Sequence, residues 1–298
     1  MKVVVAGGTG FLGNALVGRL RSEGHDVTVL SRRANAPHEA AWNPDGTVGP
    51  WASQLEDANA VVNLAGESIA AGRWTSTRKE RIRESRVHAT RSLVAAMQRC
   101  GRKPAVFVSG SAVGYYGAHA EEPVTEHTPP GDDFLASVCR AWEAEALRAA
   151  DFTRVVLLRT GIVLSSDGGA LPQMALPFKL FAGGPVGSGR QYQPWIHRND
   201  WVAMTAWALR TPSMAGPLNV TAPNPVTNRE FARTLGRVLR RPAFMPAPPF
   251  ALRLALGEMA DALLLNGARV IPAHAQSMGF HFEFPTLEPA LREIYGAP

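Results

Sequence analysis

An α/β fold built on a doubly wound parallel sheet is what the sequence predicts, on three observations. Short, continuous apolar runs rich in Val, Leu and Ile recur along the chain. Amphipathic helical segments separate them, so the strands are covered on both faces and pair in parallel. A glycine-rich turn joins the first run to the first helix. Strand, turn, helix and strand fit there within about 30 residues, the size of one βαβ unit.

In order, KVVVAGG (2–8) reads as a strand that ends in glycine. The helix FLGNALVGRLRSEG (11–24) sets Phe11, Leu12, Ala15, Leu16 and Leu20 at helical spacing, with Gly24 as its stop. DVTVL (26–30) is the second strand. Further strands are expected in AVVNLAG from Ala60, AVFVSGS from Ala105, RVVLLRTGIVL from Arg154 and GPLNVTA from Gly216. Helices are expected over 76–101 and 133–150. Past Pro223 the texture changes. TNREFARTLGRVLRR (227–241) opens with a capping box, Thr227 and Glu230. The proline-rich connector PAFMPAPPF follows, then a helix to about Leu265, an alternating strand GFHFEF (279–284) and a short helix TLEPALREI. The main domain is thus 1–222, with cleft segments inserted at about 165–200, and a small, mostly helical annex occupies 223–298.

Composition narrows the function. The net charge is +6, carried by 27 Arg and 4 Lys. Such a charge suggests nucleic acid, but the arginines are spread along the chain. The two local clusters, Arg78 to Arg91 and Arg229 to Arg241, repeat at helical spacing and read as solvated helix faces. No nucleic-acid partner is expected. Two cysteines, Cys100 and Cys139, give no disulfide framework and suit a reducing, cytoplasmic setting. The N-terminus reads as a strand rather than a signal peptide. The most apolar later stretch carries Arg253, Glu258 and Asp261, so no membrane span is expected. The eight histidines show no ligand spacing, and no metal is expected.

The opening turn GGTGFLG places Gly7, Gly10 and Gly13 at the spacing G-x-x-G-x-x-G. The first permits a tight turn, the second lets backbone approach a pyrophosphate, and the third lets helix and strand pack closely. Thr9, Phe11 and Leu12 complete the phosphate seat. At the end of the second strand an Asp or Glu would bond the 2′-hydroxyl of NAD. Ser31, Arg32 and Arg33 stand there instead. A guanidinium forks onto a 2′-phosphate, which points to NADP(H) as cofactor. Leu64, Ala65 and Gly66, Ser109 and Thr160 follow or end later strands and are expected along the same cleft.

GGTGFLG, NLAGESI, SGSAVGYYG, LRTGIVL and PWIHRNDW occur in the order seen in the extended short-chain dehydrogenase/reductase superfamily, epimerase/dehydratase branch. With GRWT, RIRESRV, FLASVCRAWE and the annex, the chain resembles the atypical subfamily usually termed epimerase family proteins, some labelled cell-division-inhibitor-like. The resemblance covers nearly the whole chain. It implies a Rossmann domain, an NADP-type cofactor, a small-molecule substrate and a homodimer formed through the helices 76–101 and 133–150.

The resemblance also exposes a gap. Typical members use Asn, Ser, Tyr and Lys, the last two four residues apart on one helix turn, where the Lys lowers the pKa of the Tyr. No Y-x-x-x-K exists in this chain. Aligned on Glu143, the pair falls near Leu135 and Cys139, and the Asn position falls at Arg86; only Ser111 matches. Ser111 is then expected to polarise a carbonyl and Tyr115 or Tyr116 to donate a proton, with one of the two tyrosines serving as packing. Glu67, facing the nicotinamide or capping the next helix, Arg86, holding an anion or pairing with Glu84 or Glu67, and Lys179 are expected substrate-side residues. Trp74, Trp195 and Trp201 are candidate cleft walls, and His197 and Asp200 are expected to tie the lobes together. The chain is read as an oxidoreductase or epimerase-like enzyme, with a non-catalytic NADP(H)-binding sensor as the alternative.

Overall fold

The computed structural model of the protein describes residues 1–296. Seven strands form one sheet: β1 (Lys2–Ala6), β2 (Asp26–Ser31), β3 (Glu39–Ala41), β4 (Ala60–Asn63), β5 (Val106–Ala112), β6 (Arg154–Thr160) and β7 (Gly216–Val220). Their order is β7-β6-β5-β4-β1-β2-β3, and every neighbouring pair is parallel. The order reverses between β1 and β4, so the crevice outside their carboxyl ends is where a doubly wound fold binds its ligand. The edge strand β3 escapes sequence reading because EAA is short and only partly buried.

The helices are α1 (Phe11–Ser22), α2 (Ser76–Arg99), α3 (Phe134–Leu147), α4 (Leu171–Lys179), α5 (Arg198–Arg210), α6 (Asn228–Leu239), α7 (Pro249–Leu256), α8 (Ala273–Ser277) and α9 (Leu287–Tyr295). Leu16, Val17 and Leu20 of α1 pack with Trp201 and Met204 of α5 on one sheet face. Ala89, Leu93 and Met97 of α2 pack with Ala146 of α3 on the other. The caps follow the sequence: Asp133 accepts from Ala136 N at 2.8 Å, and Thr227 accepts from Glu230 N at 3.3 Å. The outward faces of α2 and α3 expose Arg81, Arg83, Glu84, Arg140 and Ala144, with Leu147 as an exposed large apolar side chain.

A third core joins Leu171, Ala175 and Phe178 of α4 to Phe231 and Leu235 of α6 and Leu291 of α9. The annex therefore shares apolar packing with the inserted cleft segment. Trp195 and Trp201 are fully buried, so they belong to cores and do not wall the cleft; Trp74 is half-buried. The helix expected up to Leu265 breaks at Gly257 and resumes as a short turn and a π-type turn. The expected strand GFHFEF is not one. It has no ladder partner, and its alternation reflects ring packing: Phe280 stands edge-on to both Trp207 and Phe282. Its backbone is satisfied by a side chain instead. Asp200, 1% exposed at the start of α5, accepts from Glu283 N at 2.8 Å and Phe284 N at 2.9 Å. Next to it, His197 meets Glu293 Oε2 of α9 at 2.9 Å. These contacts tie the annex to the core. No helix among the described residues is long and apolar enough to cross a membrane.

Asp200→Ala removes the shared acceptor of two backbone donors. At about 1–3 kcal/mol for each of the two donors left without a partner, the variant is expected to lose about 2–6 kcal/mol of stability. Amide exchange at Glu283 and Phe284 is expected to accelerate. Unchanged protection of those two amides would show that the carboxylate does not hold the segment.

Candidate functional site

The crevice begins at the glycine turn. Gly7 adopts φ +77°, and a Cβ there would stand 2.7 Å from Leu64 C. A Cβ on Gly13 would stand 2.1 Å from Gly7 O. Both positions exclude any side chain, so the N-terminus of α1 is drawn against the end of β1. The N-cap Gly10 offers no side-chain acceptor, and the first turn of α1 carries no acidic residue. The leading N–H groups around Phe11, Leu12 and Gly13 are thus left for a ligand. Thr9 and Gly10 are exposed at the turn. These features fit a pyrophosphate, which needs close backbone and converging N–H donors.

Across the crevice, Asn63 at the end of β4 bonds Thr90 Oγ1 at 2.9 Å and accepts from Ala65 N at 3.1 Å. It fixes the loop Leu64–Ala65–Gly66 against α2. From the other side, Gly168 and Gly169 pack on the Phe11 ring, and Arg198 pairs with Asp167 to hold that loop over the start of α1. Arg32 and Arg33 are exposed at the end of β2, and neither forms an ion pair among the described residues. Arg32 also lines a cavity of about 340 Å³ with Trp42, Asn43, Thr47 and Trp51, at the carboxyl ends of β2 and β3.

The expected catalytic hydroxyls occupy different environments. Ser111, 5% exposed, donates to Glu143 Oε1 at 2.6 Å. Glu143 in turn takes both arms of Arg159, from Nε at 2.9 Å and Nη2 at 2.8 Å. Arg159 Nη1 donates to the Tyr116 hydroxyl at 3.0 Å and to Glu126 O at 3.2 Å. Tyr116 donates to Asn219 Oδ1 at 2.6 Å. Asn219 N donates to Glu126 Oε1 at 3.0 Å. Tyr116 is 1% exposed and spends its hydroxyl as both donor and acceptor, so it is a packing residue rather than an acid. Burial pushes its phenol up to about 12. Tyr115 differs. It is half-buried, its ring lies 3.5 Å from the Arg159 guanidinium carbon, and its hydroxyl has no hydrogen-bond partner among the described residues.

Two expected cofactor residues cannot offer side chains. Ser109 is fully buried and bonds Gly110 O. The Thr160 hydroxyl donates to Leu158 O and accepts from Trp201 Nε1 at 3.1 Å. Both hydroxyls are thus engaged within the protein. Glu67 is held against α2 by Arg78 Nη1 at 2.6 Å and Arg81 Nη2 at 2.9 Å. Its bond from Arg81, with the charges of Arg78 and Arg32 nearby, keeps its carboxyl below the usual range. Lys179 is exposed at the end of α4. Arg86 pairs with neither Glu84 nor Glu67 through a carboxylate; it donates to the backbone oxygens of Ile82 at 2.8 Å and Glu67 at 3.0 Å. Cys139 is buried, and its thiol contacts Ala112 O at 3.7 Å.

Sequence reasoning passed over Asn63, Glu126, Arg159 and Asn219. For Asn63, Arg159 and Asn219 the signal was there, since each interrupts or ends a buried apolar run and must find a partner, whereas Glu126 lies in a polar loop that gives none.

Comparison with known proteins places this geometry. Residues 3–220 match the NAD dependent epimerase/dehydratase family, and residues 247–294 match a domain of unknown function, DUF1731. The chain is 43% identical to an Arabidopsis thaliana protein, "Epimerase family protein SDR39U1 homolog, chloroplastic", covering 99% of this chain and 86% of that one. It is 40% identical to the Homo sapiens epimerase family protein SDR39U1, covering 99% of each. Among solved structures, human SDR39U1 (isoform2) with NADPH superposes with a TM-score of 0.92 at 39% identity over 99% of both chains. A nucleoside-diphosphate sugar epimerase from Corynebacterium glutamicum gives 0.83 at 32% identity, over 100% of this chain and 59% of that one.

Cys139 and Tyr116 carry a pH signature. Burial pushes the Cys139 thiol up to about 12, as it does the Tyr116 phenol. Below pH 8 folded and unfolded chains hold the same protons on these groups. As pH rises through about 8.5 to 10, the unfolded chain releases protons that the folded chain keeps. Stability therefore falls towards pH 12. Urea unfolding at pH 8 to 11 is expected to show a shallower decline for Cys139→Ala, by about 1.4 kcal/mol per pH unit. A slope equal to wild type would rule out a thiol held protonated by the fold.

Proposed function

This chain belongs to the NAD dependent epimerase/dehydratase family, and we propose that it is an NADP(H)-binding oxidoreductase of atypical short-chain type acting on a small-molecule carbonyl compound. The observation that carries the reading is the pairing of an uncapped α1 N-terminus with two arginines free of ion pairs at the end of β2. The first fits the pyrophosphate. The second fits a 2′-phosphate, which NADP has and NAD lacks. The NADPH bound to human SDR39U1 supports the same assignment. The two free, buried thiols suit a cytoplasmic, reducing location.

Bound NADPH supplies the hydride. Tyr115 supplies the proton, because it is the tyrosine beside β5 whose hydroxyl is uncommitted. Ser111 orients the carbonyl, exchanging its bond to Glu143 for one to the substrate oxygen. Without a neighbouring lysine, a phenol is a poor base at neutral pH but a usable acid. Reduction of a carbonyl or activated alkene is thus favoured over alcohol oxidation. A second reading, a sensor that binds NADP(H) without turnover, draws support from the commitment of Ser111 and Tyr116 to a buried network.

Fluorescence titration is expected to show NADPH binding at least about tenfold tighter than NADH, the worth of one charge-assisted phosphate contact. The double variant Arg32→Ala, Arg33→Ala should erase that preference. Equal affinities in wild type would overturn the assignment. In a carbonyl screen read by NADPH absorbance, Tyr115→Phe should slow turnover by about 10²–10⁴-fold. Turnover that survives the substitution would remove Tyr115 from the chemistry, while tight NADPH binding with no turnover at all would favour the sensor.

A further inference from the structure

The cleft wall between β4 and β5 holds a cation with no anion. Arg86 of α2 lies half-buried against Gly66, where a Cβ would come within 3.2 Å of its side chain. Its guanidinium carbon stands 5.3 Å from the centre of the Trp142 ring. Its two hydrogen bonds go to neutral carbonyls, those of Ile82 and Glu67. A guanidinium carries five N–H donors, so three remain. No carboxylate among the described residues lies within ion-pair distance of it. Each group that could neutralise it is otherwise engaged. The Glu67 carboxylate belongs to Arg78 and Arg81, and Glu143 belongs to Arg159. The Cys139 thiol is held protonated by burial. Beside the cation, Trp142 Nε1 is buried and has no acceptor. The wall thus offers donors without an acceptor, and burial of an unpaired charge is unfavourable until an oxyanion meets it.

We propose that Arg86 and Trp142 form the receptor for an anionic group of the substrate, a carboxylate or a phosphate, so that the carbonyl compound reduced here is itself an anion. The inference rests on reading the crevice as a dinucleotide site. The cofactor's own phosphates have other seats: the α1 N-terminus beyond β1 and the arginines beyond β2. The site at β5 lies two strands from β1, roughly 10 Å at the usual strand spacing. One stretch of α3 links the receptor to the reacting end. Trp142 packs on Gly110, Glu143 holds Ser111, and Cys139 meets Ala112 O. An anion seated at Arg86 therefore fixes the remainder of the molecule relative to Ser111.

The test loads the full chain with saturating NADPH, filling the cofactor's phosphate seats, and titrates it by calorimetry with oxalate, inorganic phosphate and neutral acetone. Saturable binding of at least one of the two anions, absent for acetone, is expected. Arg86→Ala should weaken it at least tenfold and Arg86→Lys should restore part. Trp142→Phe, which keeps an aromatic face but loses the indole N–H, should weaken it about threefold and serves if the alanine variant does not fold. The NADPH affinity of all three variants should stay within about threefold of wild type. The proposal is overturned if neither anion binds wild type, if Arg86→Ala leaves anion binding unchanged, or if it weakens NADPH instead. Failure of NADPH to bind at all would break the cofactor reading. The same anion titration of the free protein would then still report on Arg86.

Discussion

The buried ion pair between Glu143 and Arg159 is the constraint on which the rest of the site depends. Their side chains are 6% and 5% exposed. Taking two such charges out of water is costly, and the cost is offset only if every lone pair and proton finds a partner. Here each does. Glu143 collects Arg159 twice and Ser111 once; Arg159 adds Tyr116, Glu126 O and the face of Tyr115. Burial works against the arginine's charge, but the bond to Glu143 outweighs it and holds the guanidinium firmly ionised. The pair joins α3, β5, β6 and the turn after β5 at one point. It also explains why Ser111 and Tyr116 are not free, and why Tyr115, lying on the guanidinium with its hydroxyl uncommitted, is different.

A second consequence concerns the balance of charge around the crevice. Arg32, Arg78, Arg81 and Arg86 approach it from β2 and α2, against the single carboxylate of Glu67. Glu67 anchors the loop after β4 by pairing with two of them, which leaves the other two uncompensated. A 2′-phosphate at Arg32 and an anionic substrate group at Arg86 are the kinds of ligand such an excess favours, and electrostatic focusing in a cleft strengthens the attraction. The net charge of +6, which first suggests nucleic acid, is in part local to this crevice.

The parallel sheet and the phosphate turn were legible because they follow from period and from glycine geometry. Val3, Val4 and Val5 can only be a strand buried on both faces, and Gly13 can only be glycine where its Cβ would meet Gly7 O. What the sequence hid was which hydroxyl is committed. Tyr115 and Tyr116 are neighbours in one motif, yet one is sealed by Asn219, 103 residues away, and the other is not. GFHFEF misled for a related reason: its phenylalanines alternate to meet Trp207 and one another, while its amides find Asp200 rather than a strand. In both cases the deciding partner is distant in sequence, and local pattern carries no trace of it.

The departure from the usual tetrad then has a physical reading. The positions that resemble the tyrosine and lysine hold Leu135 and Cys139. Leu135 packs on Gly114, and the Cys139 thiol is neutral and buried, so neither carries or relays a proton. A cation is nonetheless present in that neighbourhood, on Arg86, which the family resemblance aligns with the asparagine. Burial depresses its pKa, yet a guanidinium starts so high that it stays protonated at neutral pH. It can bind and orient an anion but cannot hand over a proton. The cleft wall at Arg86 and Cys139 thus carries charge without a group that relays a proton. Any proton delivered here must therefore come from the turn after β5, where Tyr115 stands, or from solvent reaching it.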